Sequence, residues 1–301
     1  MAKSYKSIYS ALLANLLIAV TKFIAGAFTN SGSMISEGVH SVVDTANELL
    51  LLYGLHRSKK PPDSRRPFGY GKELYFWSFI VSILIFALGG GISIYTGVLH
   101  AVHPEPLRDP AWNYIVLALS IVFEGVSLRI AVKEFNKVRG TDSWWKAIIN
   151  SKDPASFLIL FEDGAAVLGL LIVGVLMVAA HVFQVPVLDG VASVLVGLLL
   201  VFASVILARE SRSLLMGEGI APATQQKITQ LTEADPDVEK LVTIMSTYQS
   251  PEDILLMLLV DFRQDLDTAA ITEAIERIRD KIKSEFLLVR YVIIQPGAVI
   301  K

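Results

Sequence analysis

The chain has 301 residues, of which 53% are apolar, with a mean hydropathy of +0.53 and a net charge of only −2. That is more apolar surface than a soluble domain of this size buries, and the near-neutral charge leaves no electrostatic footprint for nucleic acid, which is not expected as a partner. The absence of cysteine rules out disulfides and thiolate metal sites.

The start, Met1-Ala2-Lys3-Ser4-Tyr5-Lys6, leads into an apolar run too long for the core of a signal peptide, so the run is read as retained. A helix needs about 20 mostly apolar residues to cross the hydrocarbon. Six segments supply them: Ile8–Phe28, Ser33–Leu55, Leu74–Leu99, Trp112–Val132, Phe157–Ala180 and Leu188–Leu207. Gly89-Gly90-Gly91 in the third would weaken a soluble helix, but in a membrane it suits close helix packing. Basic residues gather at the N-terminus (Lys3, Lys6), in the second connection (Arg57, Lys59, Lys60, Arg65, Arg66, Lys72), in the fourth (Lys133, Lys137, Arg139, Lys146, Lys152) and after the last span (Arg209, Arg212), against Arg108 alone on the other side. The positive-inside rule then predicts a multi-pass protein with both termini cytosolic, as in a bacterial inner membrane. Tyr70, Tyr75, Trp77 and Trp112 fit an aromatic belt at the membrane surface.

Beyond the spans the composition becomes that of a soluble domain. Pro222–Leu231 reads as a helix, Lys240–Tyr248 and Ile254–Phe262 as strands, Asp267–Ser284 as a helix and Leu287–Ile294 as a third strand. Ile271, Ile275, Ile278 and Ile282 form one stripe of that second helix. The expected fold is a polytopic α-helical membrane protein with six transmembrane helices (residues 1–216) and a cytosolic C-terminal α+β domain of order αββαβ (residues 217–301). So small a core leaves one sheet face in need of a partner, and a homodimer would supply it.

A charged group inside a span costs about 2.5–3.5 kcal/mol on insertion scales, so each needs a reason. At roughly 100° per residue, Glu37, His40, Asp44 and Asn47 of the second span fall in a stripe about 80° wide. A hydrogen-bonded polar seam between helices would produce such a stripe. So would half of a metal site, with an imidazole and a carboxylate at (i, i+4) gripping one ion: His40 and Asp44. The fifth span adds Glu162 and Asp163 in an apolar setting, where two adjacent carboxylates need a cation, a proton or a partner. They point about 100° apart, so one is expected to bind directly. Asp163 is expected in that role, with Glu162 as a fourth ligand or a supporting group. Glu124 reads equally as a proton carrier or as the ion-pair partner of Lys22, Asn15 as an interhelical hydrogen-bonding group, and Asp189 as the N-cap of the sixth span.

Six spans, His40-Ser41-Val42-Val43-Asp44 in the second, an acidic residue in the fifth and a terminal αββαβ domain resemble the cation diffusion facilitators. Pro67-Phe68-Gly69-Tyr70-Gly71-Lys72 looks like a signature of that family, and Leu160-Phe161-Glu162-Asp163-Gly164 is similar to the branch that includes a mitochondrial zinc transporter. The resemblance implies a transport site of His40, Asp44 and Asp163, a homodimer joined through the C-terminal domain, and alternating access with metal exchanged for protons. It also shows departures. Ile159 stands where the family places a fourth ligand, leaving Glu162, Asn47 or water to complete the site. Arg66 and Tyr70 stand where some relatives carry histidines, and the C-terminal domain has no histidine.

The expected function is export of a divalent cation, zinc first, in exchange for protons, with no resident cofactor. The ligands must lose protons to bind metal, and His40, with an ordinary pKa of about 6.5 for imidazole, suits that exchange. One nitrogen and two or three oxygens also admit iron(II) or manganese(II). A metal-selective channel or sensor is the rival, marked by flux indifferent to a pH gradient. An intramembrane metalloenzyme is not expected, since no His-Glu-x-x-His spacing occurs.

Overall fold

In a computed structural model of the chain, residues 5–104, 111–139, 143, 144, 147 and 152–297 are described, with side chains from residue 15 onward except at 138, 155 and 156. Lys3, Arg108 and Lys146 lie outside the described residues, as does the side chain of Lys6. Among the described residues six long helices come first: α1 (Tyr5–Thr29), α2 (Gly32–Ser58), α3 (Lys72–Val102), α4 (Ala111–Arg139), α5 (Pro154–Phe183) and α6 (Val187–Met216). Then follow α7 (Pro222–Glu233), β1 (Val238–Ser250), β2 (Asp253–Phe262), α8 (Thr268–Glu285) and β3 (Val289–Pro296).

The described parts of α3, α4, α5 and α6 are each long and apolar enough to cross a membrane, while in α1 the apolar stretch found is Asn15–Thr29. In α2, Glu37, Asp44 and Glu48 interrupt the apolar run, so the residues that make this helix interesting also mask it. Large apolar side chains point outward all along the bundle, among them Phe28, Val122, Val175 and Phe202, each more than half exposed. Water would penalise such a girdle, whereas acyl chains suit it.

Two compact units form, one from the chain up to Leu55 with Phe76–Ser211, the other from His56–Tyr75 with the chain from Arg212 on. Residues 56–75 thus pack with the C-terminal unit, where the expected division at 216 and 217 had placed them with the spans. The cause is close fitting around the Phe-Gly segment. A Cβ added to Gly71 would run into the Gln249 carbonyl oxygen, so only glycine lets the backbones approach. Phe68 meets Tyr291 edge-on at 5.4 Å, and Tyr75 is fully buried beside Leu214 and the sheet. Tyr70 lies under Arg66, 4.5 Å from the guanidinium to the ring centre, and donates its hydroxyl to Asp63 at 2.6 Å. Tyr75 is thus enclosed by protein, while Tyr70 is held between Arg66 and Asp63.

Within the first unit, α3 and α6 meet through glycine. A Cβ on Gly97 would lie 2.6 Å from the Val194 amide nitrogen, and one on Gly190 would lie 2.5 Å from that of Ala101. Gly90 and Gly197 repeat the contact two turns along, with a Gly197 Cβ falling 2.9 Å from the Gly90 oxygen. Here α3 runs through a π-helical stretch, Ile85–Gly91, which takes in the three consecutive glycines.

In the second unit the strand order is β1-β2-β3, with β1 antiparallel and β3 parallel to β2, as the α8 crossover requires. Leu256, Leu258 and Val260 of β2 enter the core with Ile278 and Ile282 of α8. Asp267 caps α8 by accepting from the Ala270 amide at 2.8 Å. The alternate residues present a row in register, Met245–Met257–Ile293, of which Met245 and Ile293 are about half exposed.

Candidate metal centre

The arrangement starts from how α2 is anchored. Its first amides, Gly32 and Ser33, donate to Oδ2 of Asp189 at 2.6 and 3.2 Å, and Ser31 and Ser33 donate their hydroxyls to Oδ1. Asp189 is thus a cap, as expected, but of α2, 157 residues away in sequence from Gly32. Ser36 and Ser193 bridge the same two helices, and Ser193 also donates to the Gly32 carbonyl. So fixed, α2 holds its polar stripe toward α5.

His40 is 2% exposed, and its Nδ1 lies 3.1 Å from Asp44 Oδ1, one turn along the helix. The pair is not aligned as a hydrogen bond: neither imidazole nitrogen has a partner, nor does Asp44 Oδ1 or Asn47 Oδ1. Asn47 donates its amide to Glu162 Oε1 at 2.8 Å. Glu162 also lies within hydrogen-bonding reach of Asp44. Asp163 faces elsewhere, accepting from Ser127 of α4 at 2.8 Å. The structure therefore links His40 to Asp44, and Asp44 and Asn47 to Glu162, and gives Asp163 a hydrogen bond from Ser127 of α4. The contacts are pairwise; among the described residues no three His, Asp or Glu groups converge as a finished metal cage.

Buried polar atoms normally find partners, and leaving one without costs about 1–3 kcal/mol. Two carboxylates in contact also repel unless a cation or a proton lies between them. The cluster holds several such atoms within about two turns of α2. Chemically it is a set of buried nitrogen and oxygen atoms able to share a proton or a cation.

One turn toward the start of α2 lies a pair that the spacing alone did not reveal. Lys22 of α1, 1% exposed, donates to Glu37 Oε2 at 3.1 Å and to the Ser41 hydroxyl at 2.8 Å. Lys22 is thus matched to Glu37, not to Glu124. A lysine and a glutamate in adjacent apolar helices were the available signal. Asn15 bonds Glu48 at 3.3 Å, an interhelical bridge as expected.

Helices long and apolar enough to cross a membrane, with buried polar side chains between them, describe an integral membrane protein, and residues 8–216 match the cation efflux transmembrane domain. The chain belongs to the cation efflux family. It is 36% identical over 245 residues to the mouse proton-coupled zinc antiporter SLC30A9, mitochondrial, a match covering 80% of this chain and 43% of that protein. It is 32% identical over 261 residues to metal tolerance protein C4 of Arabidopsis thaliana, covering 86% of this chain and 57% of the relative. The chain thus spans about half the length of these relatives. A cadmium form of a MamM C-terminal domain variant matches 26% of this chain and 95% of its own at 16% identity, with a TM-score of 0.24.

Proposed function

We propose that this protein exports a divalent transition metal ion, zinc foremost, from the cytosol in exchange for protons, working as a homodimer by alternating access. The observation that carries the reading is the set of unpartnered buried donors on His40, Asp44 and Asn47 beside Glu162. The ion is cargo, and His40, Asp44 and Glu162 are its ligands, with Asn47 orienting Glu162 and Asp163 in a supporting place on the α4 side. One nitrogen with carboxylate oxygens suits zinc.

The exchange follows from shared groups. Metal binds only deprotonated ligands, so loading releases protons and protonation expels the ion. With the basic connections in the cytosol, an inward proton gradient drives metal outward. The name of the mouse relative, a proton-coupled zinc antiporter, supports both metal and coupling. The open sheet row Met245–Met257–Ile293 supports the dimer, because an apolar strip on a small domain is stabilised by a second copy. The test is transport by purified protein in liposomes with zinc, iron(II) and manganese(II), with and without a pH gradient. Zinc flux that follows the gradient is the expected result; flux indifferent to pH would instead make the protein a channel.

A further inference from the structure

Glu37 is fully buried and paired to Lys22, which invites the view that the two form a structural clamp between α1 and α2. The same helix offers a contrast. Asp189, which clamps the end of α2, uses both carboxylate oxygens and leaves neither without a partner. Glu37 spends Oε2 on Lys22 and leaves Oε1 buried with no partner at all. That free oxygen faces α5 at Gly169, where the missing side chain leaves room: a Cβ there would come 3.2 Å from Glu37 Oε1.

The unpartnered atoms of α2 form a file: Glu37 Oε1, both nitrogens of His40, Asp44 Oδ1 and Asn47 Oδ1. These residues lie on one face, and the file runs about 15 Å along the helix, with Glu162 of α5 at one end and Gly169 at the other. A polar seam built for stability would close its hydrogen bonds. This one closes some, from Lys22 to Glu37 and from Asn47 to Glu162, and leaves an unpartnered atom on each of its four α2 residues.

We propose that Glu37 is a second cation station, one turn beyond His40 toward the membrane face away from the basic connections. Lys22 is its tethered stand-in cation. When no ion is present, the ammonium group neutralises Glu37, so the station can be emptied without stranding a bare carboxylate. An ion leaving His40 and Asp44 takes the free Oε1, displaces Lys22 toward Ser41 and passes on. Lys22 thereby favours release over retention. This role rests on the transport reading above and adds a release step to it.

The experiment separates binding from turnover in the full-length protein. Zinc affinity is measured in detergent by titration calorimetry and zinc transport in liposomes, for Glu37→Gln and for the charge swap Lys22→Glu with Glu37→Lys. Glu37→Gln is expected to bind zinc at the main site within about threefold of the parent while turnover falls about 10- to 100-fold, the range for losing a group that acts beside the ligands. The swap keeps an ion pair but moves the carboxylate off the file, and is expected to stay folded and inactive. Where Glu37→Gln fails to fold, the neutral pair Lys22→Gln with Glu37→Gln carries the same readout. Normal turnover in the neutral variant, or restoration of transport by the swap, would show a clamp and overturn the station alone. Failure of the parent protein to bind and move zinc would overturn the proposed function, and the station with it.

Discussion

Asn47 and Glu162 are joined across α2 and α5 by a 2.8 Å hydrogen bond, and this contact decides which of two adjacent acids faces the polar stripe. The bond sets Glu162 beside Asp44 and leaves Asp163 to Ser127. Glu162→Gln is therefore expected to abolish zinc binding, a loss beyond the roughly 10- to 100-fold typical of supporting groups, while Asp163→Asn should stay within that range. Calorimetric zinc affinities of the two variants check this. Equal losses, or a greater one for Asp163→Asn, would move the ligand to the neighbouring residue.

Asp189 gathers four donors at the start of α2. Losing a helix cap costs about 0.5–2 kcal/mol, and each buried donor left without an acceptor adds about 1–3 kcal/mol. Asp189→Ala is expected to lower the midpoint of thermal unfolding in detergent and to lower zinc affinity too, because α2 positions His40 and Asp44. Asp189→Asn keeps oxygen for part of the network and should lose less of both.

The helices were legible because each apolar run far exceeds a strand's length, and α8 because its four isoleucines share a stripe. His40 and Asp44 were legible because (i, i+4) spacing is a local property of one helix. Which of Glu162 and Asp163 meets Asp44 and which meets Ser127 was not. It depends on how α5 is rotated against α2 and α4, which packing sets and spacing does not. Asp189 shows the same limit: its type announced a cap, but the helix it caps lies far off in sequence. Residues 56–75 misled for a related reason, since their basic character marks a membrane flank while Gly71, Phe68 and Tyr75 are shaped for the C-terminal unit.

The glycine contact between α3 and α6 gives a sharp steric prediction. Membrane helices associate without help from water, so close backbone approach supplies much of the attraction. A Cβ at Gly190 would fall 2.5 Å from the Ala101 amide nitrogen and 2.7 Å from the Gly97 oxygen, both rigid backbone. Gly190→Ala should force the helices apart and sharply reduce the yield of monodisperse protein. Gly125→Ala in α4, where nothing lies within 4 Å of the added carbon, should be harmless. Size-exclusion profiles of the two variants provide the comparison, and equal behaviour would refute the packing argument.

Asp235 of the C-terminal unit provides a test by pH. It is 3% exposed, accepts from Arg277 Nη2 at 3.1 Å and Nε at 3.3 Å, and takes the Asp237 amide at 3.2 Å. Burial works to raise this carboxyl, but the Arg277 hydrogen bonds, the Asp237 amide and nearby positive charge outweigh it and hold the group below the usual carboxylate range. A carboxyl depressed in the folded state stabilises it above the unfolded value, near 3.9 for Asp, and that contribution fades as pH falls through the lower folded value. Removing the arginine by Arg277→Ala should therefore destabilise the protein at about pH 6 and matter much less at about pH 3, where the carboxylate is increasingly protonated with or without its partner. Thermal unfolding of the full-length parent and variant at both pH values checks the sign. A stability difference that stays constant between them would mean that Arg277 acts by packing rather than through the charge of Asp235.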